Sequence, residues 1–230
     1  MRLFSAENLA GYQLCNCLIM HNHLQMQLLM CMNNSGIIRE FLNENDGMNI
    51  RLLDNIKKHN KSEYCKNLIE KYHPYYPAWV FVELISFGTL TYLCEFYNTK
   101  YGYSIIDKKF LNTIRDMRNA SAHSTCMINR LFDKVTNQPD IRISNYVKSI
   151  APKIPKSTRG KNLSYRVIYD FTTLLFMYNE VITSQKMKDK RYERLKELFN
   201  VRMTRNKDYF KQNTRIIGVY NFTKKVIDNL

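Results

Sequence analysis

Residues Ile114 to Leu131 read IRDMRNASAHSTCMINRL, an apolar helical pattern interrupted by reactive side chains. Ahead of the interruption Phe110, Leu111, Ile114 and Met117 recur at helical spacing, and Asp107 stands where an N-cap belongs. The pattern predicts a helix from about Asp107 to Asp133. At about 100° per residue, Asn119 and His123 share a face and Arg118 lies on its flank. Arg presents a fork of donors to phosphate oxygens. His moves a proton near neutral pH, and Asn orients a ring or a hydroxyl. None of the three favours a packed core, so together they mark the first place to look for chemistry. Arg115 and Asp116 before the motif and Asn129 and Arg130 after it make that side polar enough to line a wet groove.

Upstream, Ala78 to Tyr97 is apolar on most sides and reads as one central buried helix, with Pro77 at its first turn. Glu83 is its single interior charge and requires a partner, for which Arg115 or Arg118 is the candidate. Asn98 to Gly102 reads as the turn out. Earlier still, Leu14 to Met32, Ile37 to Asn45, Met48 to Lys58 and Ser62 to Tyr72 read as helices, with Ser62 as an N-cap.

Downstream, 136–160 holds Pro139, Pro152 and Pro155 and reads as a long loop, with one strand-like piece at Ile141 to Val147. Its Lys153, Lys156 and Arg159 are placed to form a basic lip over the motif. Leu163 to Thr183 is amphipathic, and Lys188 to Phe199 follows with Lys188, Lys190 and Arg191 on its polar side. Asn200 to Arg215 is basic and irregular, with Tyr209 and Phe210 among the cations, and Thr223 to Asn229 reads as a last short helix. The sum is an all-α, mainly antiparallel helical bundle, with a helical domain over 1–200 and a basic extension over 201–230.

Two blocks carry a resemblance. Arg118-Asn-Ala-Ser-Ala-His123 is similar to the Arg-x4-6-His signature of HEPN domains, with the common Asn after the Arg. Trp79-x3-Glu83-x2-Ser86-Phe87-Gly88-x-Leu90, about thirty to forty residues ahead of it, resembles a block of the Abi-like (abortive infection) branch, as does the following Asn129-Arg130. Ser124 stands where a second His is often found after the motif His, and the chain is short at its N-terminus against the family pattern. The resemblance implies a HEPN bundle that dimerises through its motif helices, bringing two copies of Arg118, Asn119 and His123 to one cleft. It implies a metal-independent endoribonuclease with those three residues catalytic, no cofactor, and a role in abortive infection or as the toxin of a toxin–antitoxin pair. The restraining antitoxin could be a structured RNA or a protein.

Charge bounds the partners. Of a formal net charge of +15, residues 1–140 contribute 15 basic against 13 acidic side chains, and residues 141–230 contribute 20 against 7. A block so basic suits a polyanion, although a solvated basic face is the plainer alternative. The stretch Lys186 to Arg194 has little apolar face to insert, which argues against a membrane surface. No apolar run approaches the roughly 20 residues of a membrane span. The opening MRLFSAENLAGYQLCNC lacks the layout of a secretion signal, so a cytoplasmic protein with free thiols is expected. Cys94 and Cys126 read as small core residues. Cys15, Cys17, His21 and His23 do not make a zinc framework, because residues two apart on a helix face different ways. Two other readings stay open: a structural helix end in which Arg118 pairs with Glu83, and a non-catalytic RNA-binding module. Phosphoryl transfer lacks both a glycine-rich loop and a metal-binding carboxylate pair.

Overall fold

The computed structural model describes residues 35–43, 47–59, 62, 64–73, 76–102, 107–123 and 125–230. The segment Leu14 to Met32, with Cys15, Cys17, His21 and His23, lies outside them. Among the described residues there are eleven α-helices and no strand, apart from an isolated bridge between Lys134 and Tyr165, so the all-α expectation holds. No described helix is long and apolar enough to cross a membrane. The helices are α1 (Ser35–Asn43), α2 (Gly47–Lys58), α3 (Lys66–Tyr72), α4 (Ala78–Leu84), α5 (Phe87–Tyr101) and α6 (Lys108–Ala122). They continue with α7 (Ile141–Ile150), α8 (Lys156–Leu163), α9 (Arg166–Val181), α10 (Gln185–Glu197) and α11 (Thr214–Asp228). The chain divides into two compact units, one ending at Arg115 and one over Asp116–Leu230, with the division inside α6.

In the unit ending at Arg115, α1 packs on α2 and α5. Ile37, Ile38 and Phe41 form its buried stripe, and Phe41 meets Phe96 at 5.4 Å between ring centroids. Apolar residues at i, i+1 and i+4 fall on one side of a helix, which is why so short a segment folds against its neighbour. The expected continuous helix over 78–97 is instead two helices. Ile85 and Ser86 are extended, and the Ser86 hydroxyl accepts a hydrogen bond from the Thr89 N–H at 3.1 Å, starting α5 afresh. Serine at an N-cap satisfies an otherwise orphaned donor. The Ser86-Phe87-Gly88-x-Leu90 block is therefore in large part a helix-start signal, with Phe87 and Leu90 driven into the core. Glu83 is exposed beside exposed Trp79, while Val80, Phe81 and Leu84 take the buried side. Its carboxylate is solvated and needs no buried cation, which corrects the interior reading. The Asn98–Gly102 turn is also shorter than expected: α5 runs to Tyr101, and Gly102 caps it at φ 61°, a left-handed conformation suited to glycine.

In the unit over Asp116–Leu230, α9 is the core helix, packed on α7 and α8, while α11 packs on α8 and α10. Ile168, Leu174, Leu175, Tyr178 and Ile182 are buried, as the spacing of 163–183 anticipated. The expected loop over 136–160 contains two helices. The Asp140 carboxylate accepts from the Arg142 N–H at 2.8 Å and caps α7. Ile143, Tyr146 and Val147 then fall at helical spacing and are buried, so the strand-like reading of Ile141 to Val147 is overturned. α11 begins at Thr214, nine residues before the expected short helix, because Asn213 accepts from the Ile216 N–H at 3.1 Å. Cys94 is buried, and burial pushes its thiol up to about 12. Cys126, expected in the core, is exposed ahead of a 3₁₀ turn.

Candidate functional site

α6 is built as one buried stripe with a polar back. Phe110, Leu111, Ile114, Met117 and Ser121 are buried, recurring every three or four residues. The Asp107 carboxylate accepts from the Lys109 N–H at 3.0 Å, the cap expected there. The helix stops at Ala122, well short of Asp133, and Met127–Arg130 is a separate 3₁₀ turn. The stop is made by the backbone: the Thr125 N–H returns to the Ala120 carbonyl at 2.8 Å, spending an acceptor that a longer helix would have used.

This termination shapes the motif. His123 lies one residue beyond the helix and is exposed, yet its N–H still reaches the Asn119 carbonyl at 3.0 Å. The four-residue register between Asn119 and His123 therefore persists. Arg118 and Asn119 are half-buried, and the Arg118 guanidinium donates from Nη1 to Asn119 Oδ1 at 3.2 Å. A neutral amide so placed steers the guanidinium without cancelling its charge. Asn129 and Arg130 are exposed in the 3₁₀ turn, and Arg130 Nε donates to Asp133 at 2.6 Å. Asp116 reaches Arg166 of α9 at 3.7 Å, and Arg166 also pairs with Asp170 at 3.4 Å. Burial pushes the Asp170 carboxyl up to about 6, against the pull of Arg166 and with some help from Asp116.

The remaining cations divide sharply. Lys153, Lys156 and Lys190 are exposed. Arg159 is buried at 7% exposure and donates to the Ile154 carbonyl at 3.0 Å and the Ser144 hydroxyl at 3.3 Å. It ties α7 to α8 and cannot be part of an exposed basic lip, which corrects its reading as an RNA contact. Lys188 donates from Nζ to the Asn179 carbonyl at 2.6 Å, closing the end of α9. Arg191 has Nε and Nη1 buried among α9 and α10 side chains, so two of its three guanidinium nitrogens do not reach solvent.

Beneath the motif lies an apolar cavity of about 370 Å³. Met117 and Ile128 line it from the motif side, and Phe171, Phe199, Lys207 and Phe210 from α9 and the C-terminal segment. The tertiary structure thus brings the segment before α11 against the motif turn. Arg215 lies over the Phe132 ring, 4.0 Å from its centroid. Lys207, Tyr209, Lys211 and Arg215 are exposed there, and sequence reasoning had noted the stretch without singling out their geometry. The signal that could have found them is the Asn213 cap, which confines the irregular stretch to the turn just before it.

Among the described residues, no group of three or more His, Cys, Asp or Glu side chains could hold a metal ion. A family model described as Abi-like protein matches residues 10–129, which contains the Trp79–Leu90 block, Arg118, Asn119, His123 and Asn129. No curated protein and no solved structure matches the chain. Everything from Arg130 onward, including the basic residues before α11, lies beyond the matched range.

Proposed function

This chain belongs to the Abi-like protein family, and on that premise we propose that it is a metal-independent endoribonuclease of the HEPN type. The family points to an abortive-infection, phage-defence context. Within it, the chain acts in the cytoplasm as a homodimer whose motif helices face each other, either in abortive infection or as a toxin held by a cognate antitoxin. A structured RNA suits that restraint, since it would occupy the same basic surface as the substrate.

One observation carries the reading. Arg118 and Asn119 lie near the end of α6 with the guanidinium bonded to the amide, and His123 follows one residue beyond the helix with its side chain exposed. Arg118 holds the scissile phosphate and stabilises charge growing on its oxygens. His123 takes the proton from the ribose 2′-hydroxyl or returns one to the departing 5′-oxygen, with the dimer supplying the second copy. Oxygen 2′ bonds to phosphorus as the bond to oxygen 5′ breaks. The products are a 2′,3′-cyclic phosphate and a free 5′-hydroxyl. DNA, which lacks the nucleophile, is spared.

The test incubates wild type and His123→Ala with end-labelled RNA in EDTA and identifies the ends. His123→Ala is expected to cut about 10²–10⁴-fold more slowly while keeping its RNA affinity. Equal cutting by the two proteins would refute the assignment of His123. A second reading, a non-catalytic RNA-binding module, draws on the exposed cations near α11. It is favoured if neither protein cuts and both bind RNA equally.

A further inference from the structure

Lys207–Phe210 form a 3₁₀ turn that carries two neighbouring rings of unlike exposure. Phe210 is half-buried and lines the apolar cavity. Tyr209 is 71% exposed. Folding thus sets Phe210 against the cavity and leaves out its neighbour, whose large apolar ring is costly to keep in water.

The surroundings are cationic. Arg205, Lys207, Lys211 and Arg215 are exposed and lie within six residues of Tyr209 in the sequence. Asp208 pairs with Lys211 at 2.7 Å and offsets it, leaving Arg205, Lys207 and Arg215 as the effective charge. The turn also adjoins the motif. Lys207, Phe210 and Lys211 share the cavity wall with Met117 and Ile128, and Arg215 rests on Phe132, two residues past Arg130. A ring open to solvent among cations fits an unpaired base on its face with phosphates alongside. A duplex, whose bases are stacked inward, offers no such face.

We propose that Tyr209 is a stacking platform for an unpaired RNA base, with Lys207 and Arg215 contacting the flanking phosphates, so that the RNA taken by the motif is single-stranded. The proposal rests on the RNA reading above and names its substrate class. It does not depend on cleavage.

The test measures binding without cutting. Fluorescence anisotropy is recorded in EDTA on the His123→Ala background, with a short labelled single strand and the duplex of the same sequence. Tyr209→Ala is expected to weaken the single strand about 5–100-fold, in line with base–aromatic stacking, and the duplex less than about 2-fold. Tyr209→Phe, which keeps the ring, is expected to bind like the parent. Circular dichroism checks that the exposed substitution leaves the helices intact. Unchanged single-strand affinity in Tyr209→Ala overturns the platform, as does an equal loss on both RNAs or a loss in Tyr209→Phe as large as in Tyr209→Ala. Cleavage is assayed in parallel on the wild-type background. Cutting with no dependence of binding on Tyr209 removes the platform and leaves the nuclease. A stacking effect without cutting keeps the platform and removes the nuclease.

Discussion

Two basic regions of the same compact unit use their charge in opposite ways. Across α8 to α10, Arg159 is buried against the Ile154 carbonyl, Lys188 closes the end of α9, and Arg191 keeps two nitrogens inside. In the turn before α11 and at its start, Lys207 and Arg215 are exposed on either side of Tyr209 in the sequence, while Lys211 is paired with Asp208. In the first region Arg159 and Lys188 serve as structural ties, satisfying carbonyls that the helix ends and loops would otherwise leave unpaired, and Arg191 is packed inside. In the second, Lys207 and Arg215 remain available to a polyanion. A surplus of cations in 141–230 therefore overstates the charge offered to a partner, because part of it is spent inside.

The largest test of this contrast is Arg159→Ala. It strips a partner from a buried carbonyl and removes the packed stem, so urea unfolding should show a loss of about 2–4 kcal/mol. RNA affinity of the folded protein should stay within about 2-fold. A large loss of affinity with unchanged stability would return Arg159 to the binding surface.

The acids give the next test. Asp208 lies outside, and hydrogen bonding to Lys211 holds its carboxyl below the usual range. Asp170 lies inside, and burial raises it to about 6. In the folded state Asp170 keeps its proton to higher pH than it does unfolded, so the folded state binds more protons between about pH 4 and 6. Stability therefore falls by about 2–3 kcal/mol as pH rises through that window and levels off above it. Asp170→Asn should remove this component, read as the wild-type minus variant difference in unfolding free energy against pH. A flat difference would mean that Arg166 holds the carboxylate ionised throughout.

The smallest effect compares two lysines. Lys207→Gln should lower the slope of log affinity against log salt on single-stranded RNA by about 0.7, one phosphate contact. Lys188→Gln should leave that slope alone and cost about 0.5–1 kcal/mol of stability, since its ammonium is committed to the Asn179 carbonyl. The same change in slope for both would erase the distinction between inner and outer cations.

Legibility followed locality. The α9 stripe was readable because Val167, Ile168, Phe171, Leu174, Leu175 and Tyr178 at helical spacing leave little choice of period. The Asp107 cap was readable because the capping bond spans two residues. The α7 helix was missed because Ile141, Ile143 and Val147 mimic a strand, while the cap at Asp140 and the burial of Tyr146 decide for helix. The split between α4 and α5 was missed because an apolar run hides a break that one serine hydroxyl makes. The motif helix was drawn too long for a similar reason: polar and apolar residues continue past Ala122, but the Thr125–Ala120 bond closes the helix. Arg118, Asn119 and His123 were legible as candidate site residues, since the three types can act on a phosphate together. Their accessibility was not legible.

The chain's own residues determined the all-α class, the Asn119–His123 register and the surplus of cations in the last ninety residues. Each depends on residue types and on spacings of a few residues along one backbone, which helical geometry converts directly into position. The tertiary structure decided which cations face solvent, that Glu83 is solvated, and that Phe210 lines the cavity shared with Met117 and Ile128 while Tyr209 stays exposed. Those outcomes depend on which surfaces meet across long stretches of chain. Arg215 finds Phe132 from more than eighty residues away, and no local pattern records that meeting, because burial and packing are settled between elements and not within them.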